Sequence, residues 1–134
     1  MKRRRRARGH AEKILFVDDE AAITDVMSAG LARLNYRSLT AADGVDGLSQ
    51  AVDVESEIAA VVTDLHMPYM DGLTMTRELL RQRPGMPVLV TSGRMSDREA
   101  AEFSALGVTH LLAKPFTEHQ LAVALNTLLS AKEP

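Results

Sequence analysis

The stretch Lys13-Ile14-Leu15-Phe16-Val17-Asp18-Asp19-Glu20 is a largely apolar run that ends in three acidic residues. Three later stretches repeat this pattern of an apolar run that ends in polar or charged groups. They end in Asp64 after 59–63, in Thr91-Ser92-Gly93 after 88–90, and in Lys114-Pro115 after 111–113. If the four runs are parallel strands of one sheet, their polar ends meet at one edge. Three carboxylates, a hydroxyl and an ammonium group would then share a pocket.

The composition is that of one soluble globular domain. The chain has 134 residues, of which 46% are hydrophobic and 25% charged, so it has room for a single core. The absence of cysteine excludes disulfides, thiolate metal sites and a cysteine nucleophile. The longest apolar runs are far shorter than the roughly 20 residues that a membrane-spanning helix needs. We therefore expect a cytoplasmic protein with no membrane partner.

Charge is distributed unevenly along the chain. Residues 1–8 carry six of the 16 basic side chains and no acidic one, whereas the remainder has ten basic and 18 acidic side chains, a net charge of −8. Low apolar content predicts that residues 1–11 form a disordered basic tail. The acidic remainder, residues 12–131, disfavours a nucleic-acid-binding surface on the domain itself. The tail could touch nucleic acid or an acidic partner, but a solvated arm is the simpler interpretation.

Short apolar runs alternate with longer amphipathic stretches after the tail. The predicted strands are 13–17, 37–41, 58–63, 86–91 and 109–113, and the predicted helices are 20–34, 44–53, 72–83, 96–106 and 118–131. Five strand-then-helix units favour a doubly wound parallel sheet with helices on both faces. In the second helix, we expect Val45, Leu48 and Val52 to face inward. Asp71 and two capping-box spacings, at 96–99 and 117–120, predict where the later helices begin.

The acidic residues would meet in a five-stranded α/β sheet of order 2-1-3-4-5, the flavodoxin-like arrangement, because strands one and three are then neighbours. Asp18 and Asp19 end strand one and Asp64 ends strand three. Close carboxylates repel unless a cation or protons intervene, and oxygen ligands without cysteine suit Mg²⁺. One carboxylate could act as a nucleophile that forms an acyl phosphate, with Lys114 as the cation and Ser92 as a hydroxyl donor.

Each of these signals also has a plain structural explanation. An Asp pair after a strand often only caps the next helix, and Asp64 alone could be a turn residue. Ser92-Gly93 is most often a turn, and a lysine before proline usually just ends a strand. The order of all four signals, each at the carboxyl end of a predicted strand, is what favours a functional site.

Taken together, the motifs resemble those of the response regulator receiver domains of two-component signalling, the family that includes chemotaxis regulators. The resemblance covers about residues 12–131. The matching motifs are Ile14-Leu15-Phe16-Val17-Asp18-Asp19-Glu20, Asp64-Leu65-His66-Met67-Pro68-Tyr69-Met70-Asp71-Gly72, Val88-Leu89-Val90-Thr91-Ser92-Gly93 and Lys114-Pro115-Phe116-Thr117.

By that resemblance, Asp64 is the phosphoacceptor, which takes a phosphoryl group from a histidine kinase or a phosphotransfer domain. Asp19 and Asp64 would bind Mg²⁺ directly, together with the backbone carbonyl of His66, and Asp18 would act mainly through water.

The resemblance also implies how the remaining site residues act. Lys114 would contact a phosphoryl oxygen, the Lys114-Pro115 peptide bond would be cis, and Ser92 would be the switch hydroxyl. The family often has Tyr or Phe three residues before the lysine, where this chain has Leu111, so no ring can switch there. His66 and Arg94 occupy positions that tune phosphoryl lifetime in the family.

A receiver is a signalling switch rather than an enzyme with a separate substrate, so this chain would catalyse only its own phosphorylation and dephosphorylation. Phosphorylation would change the face formed by helix four, strand five and helix five, where output partners bind in the family. Homodimerisation on phosphorylation stays open. We expect either a single-domain regulator or a receiver excised from a hybrid kinase or longer protein.

Three alternatives remain at this stage. A flavodoxin-like FMN binder needs a Ser/Thr/Gly-rich loop after strand one, where Asp18-Asp19-Glu20 would repel a phosphate. A phosphatase of the haloacid dehalogenase type needs Asp-x-Asp at strand one and usually a longer chain. A receiver-like module could also bind partners without phosphorylation, although the complete set of pocket residues disfavours that reading.

Overall fold

Five short strands form one parallel sheet in the computed structural model, which describes residues 8–132. The strands are β1 (Lys13–Val17), β2 (Arg37–Ala41), β3 (Ile58–Asp64), β4 (Val88–Ser92) and β5 (His110–Ala113). The helices between and after them are α1 (Ala21–Arg33), α2 (Gly44–Val52), α3 (Gly72–Gln82), α4 (Asp97–Ala105) and α5 (Glu118–Lys132). The alternation of strand and helix confirms the predicted α/β class.

The strand order across the sheet is β2-β1-β3-β4-β5, as predicted. Val17, the last residue of β1, pairs with Thr63 of β3. Asp18 and Asp64, which follow these two residues, therefore lie side by side. On the other side of β3, Asp64 pairs with Thr91 of β4, and Ser92 pairs with Ala113 of β5. The register therefore brings the carboxyl ends of four strands to one edge.

Alternate residues along β1, β3 and β4 supply two separate cores, one on each face of the sheet. Leu15, Val17 and Val61 pack toward α2, α3 and α4, whereas Ile14, Phe16 and Val62 pack toward α1 and α5. All six side chains are buried, as expected for parallel strands covered on both faces. Among residues 8–132, no helix has the length and apolar character needed to cross a bilayer.

Side chains cap three helices as the sequence predicts. Asp71 accepts a hydrogen bond from the backbone N–H three residues later, at the start of α3. Ser96 and Glu99 form a reciprocal capping box at α4, and Thr117 and Gln120 exchange the equivalent bonds at α5. These caps satisfy backbone donors that the first turn of a helix leaves unpaired.

The predicted inward face of α2 is wrong in one residue. Val45 is 53% exposed, whereas the buried residues of this helix are Gly44, Gly47 and Ala51. A Cβ atom on Gly44 would lie 2.1 Å from the Met70 carbonyl oxygen, so α2 approaches its neighbours too closely for a larger side chain. Glycines make this tight packing possible, and a pattern of hydrophobic residues does not reveal them.

Some predicted bounds also shift. β4 begins at Val88 rather than at residue 86, β5 begins at His110 rather than at 109, and a 3₁₀ helix at Val54–Ser56 was not predicted. β3 and β4 each extend one residue further than predicted, through Asp64 and Ser92, because both residues still pair with the neighbouring strand.

The last residues of the predicted tail contact the domain. Residues 1–7 lie outside the described part of the chain. The Gly9 and Ala11 backbone N–H groups donate to Leu34 O at 2.7 Å and Asn35 O at 2.8 Å. Gly9 also lies so close to the Tyr36 ring that a Cβ there would be 2.5 Å from ring carbons. The contacts of the domain therefore begin before residue 12.

Gly72→Ala should destabilise the fold. The new Cβ would lie 2.2 Å from the Asp64 carbonyl oxygen, a backbone atom that can only move with β3. We expect a loss of about 1–3 kcal/mol in the free energy of unfolding, measured by urea titration. Gly93→Ala is the matched control, because its nearest neighbour, Lys114 Cβ, is 4.0 Å away. Equal unfolding midpoints for the two variants would contradict the close approach.

Tyr36 should ionise at a higher pH than an ordinary tyrosine. Burial raises the pKa of Tyr36 to about 12, and the charge of Glu12 adds to this effect. A raised pKa means that the stability due to the neutral phenol is complete below pH 10.0, the ordinary value, and is lost as the pH rises through about 12. In a Tyr69→Phe variant, Tyr36 is the remaining tyrosine. Phenolate absorbance should then rise only near pH 12, or earlier only where circular dichroism is lost; a rise near pH 10.0 in folded protein would refute this assignment.

Candidate functional site

Three carboxylates converge at the carboxyl edge of the sheet. Asp18 follows β1 and Asp64 ends β3, side by side in the register. One carboxylate oxygen from each of Asp18, Asp19 and Asp64 lies within 4.8 Å of the others. Asp18 and Asp64 are buried, whereas Asp19 is exposed. The structure thus brings the three predicted acidic residues together, with one of them open to solvent.

Lys114 places its ammonium group among these carboxylates. Its Nζ atom lies 2.9 Å from Asp18 Oδ2 and 3.2 Å from Asp64 Oδ2. A third carboxylate, Glu20 Oε1, is 3.6 Å away. The Lys114 backbone N–H also donates to the Ser92 carbonyl oxygen at 3.0 Å, which continues the β4–β5 ladder by one bond. The sheet therefore fixes the Lys114 backbone at the point where its side chain reaches the carboxylates.

The backbone holds both buried carboxylates in place. Asp18 Oδ1 accepts the Glu20 backbone N–H at 2.9 Å, and Asp64 Oδ1 accepts the Leu65 backbone N–H at 2.8 Å. Each of the two side chains therefore has one oxygen bound to the main chain and one facing Lys114. Asp19 differs, because within residues 8–132 its carboxylate makes no hydrogen bond or ion pair. It is the acid that is most free to take a ligand.

Burial and neighbouring charges shift the two central groups. Burial raises the pKa of Asp64, and the Asp18 charge adds to this, although Lys114 and the Leu65 N–H act in the opposite direction. Burial alone would lower the pKa of Lys114, but hydrogen bonds and charge interactions with Asp18 and Asp64 outweigh it and raise the pKa. Burial is therefore the main cause of the raised pKa of Asp64, and Lys114 offsets part of it.

Ser92 is buried beside this site, but its hydroxyl is directed at its own loop. The hydroxyl donates to the Arg94 carbonyl oxygen at 2.6 Å and accepts from the Arg94 backbone N–H at 3.0 Å. This closed turn is a common local arrangement of serine. The Ser92 hydroxyl, expected in the pocket, is therefore bonded to Arg94 in this conformation.

His66 lies on the loop that follows Asp64, with its side chain exposed. Its Nε2 atom is 3.3 Å from the Arg94 carbonyl oxygen, a contact that links it to the loop after Ser92. The Lys114-Pro115 peptide bond is cis, which confirms that prediction.

Two features of the site were not identified from the sequence. Glu20 reaches Lys114, and its position directly after Asp18-Asp19 was the available signal. The Arg94 carbonyl accepts from Ser92 and contacts His66, and no sequence pattern marks a backbone acceptor.

The donor set fits a small divalent cation. The ligands on offer are carboxylate oxygens, which suit Mg²⁺ in preference to metals that favour sulfur or imidazole. Four carboxylates, those of Asp18, Asp19, Glu20 and Asp64, lie around one ammonium group, so the cluster lacks positive charge that a cation would supply. The exposed Asp19 and the buried Asp64 and Asp18 could together hold such an ion.

The fold occurs in solved receiver structures. A CheY-like receiver domain protein from Methanospirillum hungatei JF-1 superposes with a TM-score of 0.85 at 24% identity, over 90% of this chain and 95% of that chain, which shows the fold alone. A response regulator receiver domain from Clostridium thermocellum superposes with a TM-score of 0.83 at 30% identity, over 90% and 96%.

Curated relatives include both regulators and a kinase. The chain is 27% identical over 122 residues to the alkaline phosphatase synthesis transcriptional regulatory protein PhoP of Bacillus subtilis, covering 91% of this chain and 50% of that protein. It is 34% identical over 123 residues to the sensor kinase CckA of Brucella abortus, covering 90% of this chain and 13% of that protein. The chain therefore spans about half or less of the length of these relatives.

A family description covers most of the described residues. The model of the response regulator receiver domain matches residues 14–126, which include every acidic residue of the site, Ser92 and Lys114. This match covers far more than half of the chain, and the strand order and the placement of these side chains agree with it. The chain belongs to the response regulator receiver domain family of two-component signalling.

Proposed function

We propose that this receiver accepts a phosphoryl group on Asp64, in a Mg²⁺-dependent transfer from the phosphohistidine of a histidine kinase or a phosphotransfer domain. The observation that carries the proposal is the convergence of Asp18, Asp19 and Asp64 with Lys114, whose Nζ atom lies 3.2 Å from Asp64 Oδ2. Such a cluster joins a nucleophile to the positive charge that phosphoryl transfer requires.

Asp64 is the proposed nucleophile because it is the carboxylate at the centre of the sheet edge. A carboxylate oxygen of Asp64 attacks the phosphorus atom, and the bond between phosphorus and the donor imidazole nitrogen breaks. That nitrogen keeps the electron pair, and the product is an acyl phosphate on Asp64. The Leu65 N–H, 2.8 Å from Asp64 Oδ1, keeps the carboxylate oriented during the approach.

Asp19 and Asp64 are the residues that we propose bind Mg²⁺ directly, together with the backbone carbonyl of His66, and Asp18 would act mainly through water. Bound there, Mg²⁺ would offset the repulsion among the carboxylates and polarise the incoming phosphoryl group. Asp18 is more deeply buried than Asp64, 1% against 7% exposed, which supports an indirect role for its side chain.

Lys114 is the residue that we propose neutralises a phosphoryl oxygen. In the resting arrangement its ammonium group is shared between Asp18 and Asp64. Once Asp64 carries the phosphoryl group, the negative charge lies on the phosphoryl oxygens, and Lys114 can follow that charge without leaving Asp18. Its 16% exposed side chain limits competition from water.

An apolar surface beside Lys114 supports a protein as the phosphodonor. A pocket of about 360 Å³ is lined by Ile23 and Met27 of α1 and by Pro115 and Phe116 after Lys114. A donor helix that covers such a surface could place an imidazole next to Asp64 and exclude water from the transfer.

The proposed output is a change in the face formed by α4, β5 and α5. Ser92 would leave Arg94 and donate to the phosphoryl group, which would move the loop that leads into α4. Leu111 on β5 is 45% exposed and borders a pocket of about 290 Å³ beside Ser92. An aliphatic side chain there can change its burial with the loop, and a partner on this face would sense that change. Homodimerisation through the same face is the other outcome that such a change could drive.

Asp64→Asn should abolish covalent labelling. Incubation with acetyl phosphate and Mg²⁺ should add one phosphoryl group to the native protein, detected by intact mass, and none to the variant. Asp25→Asn, which changes an exposed acid on α1, is the matched control and should label normally. Persistent labelling of Asp64→Asn would sink the proposed function.

Asp19→Asn should weaken Mg²⁺ binding by about tenfold or more, since loss of even an indirect metal partner costs about that much. Calorimetric titration with MgCl₂ measures this directly, and the same Asp25→Asn variant serves as the control. Because Asp19 makes no polar contact within the described residues and its charge repels Asp18 and Asp64, the substitution should not lower the unfolding midpoint. An unaltered Mg²⁺ titration would remove Asp19 from the metal site.

A further inference from the structure

A small hydrogen-bond cluster around one backbone carbonyl holds the loop that follows β4. The Ser92 hydroxyl donates to the Arg94 carbonyl oxygen at 2.6 Å, and the His66 Nε2 atom lies 3.3 Å from the same oxygen. A carbonyl oxygen only accepts hydrogen bonds, so the ring nitrogen in this contact is the one that carries hydrogen. Two donors, from different loops, therefore share one acceptor.

The contact joins the two loops that matter most for the proposed function. His66 follows Asp64, and Arg94 follows Ser92. Pairing of Asp64 with Thr91 sets the two loops side by side, and the Leu65 N–H to Thr91 O bond, at 3.2 Å, continues the ladder beyond that pair. Past that point, the His66 side chain ties the phosphoacceptor loop to the loop of the switch hydroxyl.

We infer that His66 is a positioning residue, whose imidazole N–H stabilises the resting arrangement of the Ser92–Met95 loop by holding the Arg94 carbonyl. It thereby restrains the movement of Ser92 toward Asp64. This inference rests on the proposed function, because the step that His66 restrains is the switching that follows phosphorylation.

The restraint follows from the hydrogen count of the groups involved. The Ser92 hydroxyl has one hydrogen, so it cannot donate to a phosphoryl oxygen and to Arg94 O together. When it leaves, the turn loses this bond and the 3.0 Å bond from the Arg94 N–H. An interaction made in only one of two conformations shifts the population toward that conformation. The His66 contact requires the Arg94 carbonyl to face the ring, as it does while the turn is closed.

Hydrogen exchange at the Arg94 amide tests the inference, because this N–H is bonded to Ser92 Oγ when the turn is closed. In unphosphorylated protein without added metal, His66→Ala should speed Arg94 exchange about fivefold, the factor expected for one ordinary hydrogen bond. His66→Gln, which keeps an N–H donor on a flexible side chain, should restore most of the protection. Both changes leave the His66 backbone carbonyl in place.

Two controls calibrate the measurement. Ser92→Ala removes the acceptor of the Arg94 N–H and should give the largest increase in exchange. His119→Ala removes an exposed histidine from α5, on a different part of the surface, and should give none. Native-like Arg94 exchange in His66→Ala would overturn the inference, whatever the labelling of Asp64.

A second comparison links the restraint to switching. Labelling of native protein with acetyl phosphate should speed Arg94 exchange, and the increase should be smaller in His66→Ala, where the turn is already partly open. Equal increases in the two proteins would overturn the switching role. Absence of label on Asp64 would instead reject the proposed function, while the exchange rates of the unlabelled proteins still judge the restraint.

Discussion

One ammonium group between two buried carboxylates is the interaction on which this site depends. Lys114 Nζ lies within 3.2 Å of both Asp18 and Asp64, at the carboxyl edge of the sheet. Without it, two acids would face each other in a poorly solvated position, where like charges repel strongly. With it, the balance remains negative, because Asp19 and Glu20 stand close by. The resting site is thus stable but still attractive to cations.

The scaffold divides the work between rigid and movable parts. Asp64 sits on a central strand whose register is set by both neighbours, and Gly72 packs directly on its carbonyl oxygen. The two cores pack on opposite faces of the sheet and fix the strands, so the carboxylates at the strand ends keep their positions. The Ser92–Met95 loop is closed by a few hydrogen bonds, and Met95 at its end packs against one of the cores. Under the proposed function, the phosphoryl group would be carried by a fixed strand, and the response would come from a loop held mainly by hydrogen bonds.

Sequence patterns predicted the fold and the meeting of the acids because both follow from short-range rules. Apolar runs of strand length, helix caps at Asp71 and Ser96, and polar residues at strand ends are all visible in the chain. The inward face of α2 was missed at Val45, because glycines make that interface and hydrophobicity does not register them. The orientation of the Ser92 hydroxyl and its shared acceptor at Arg94 also escaped prediction. They depend on how two loops meet in space, and a backbone carbonyl leaves no trace in residue types.

The contact between Gly9 and the Tyr36 ring has a practical consequence for anyone who shortens this protein. The family match starts at residue 14, and a cut made there would delete both the glycine over the ring and the two backbone bonds to the turn at Leu34 and Asn35. The Tyr36 ring would then be exposed next to the edge strand β2, where exposed apolar surface favours aggregation. Expression boundaries, tags and protease sites should therefore lie before Gly9, so that its contacts with Tyr36 and Leu34 are kept.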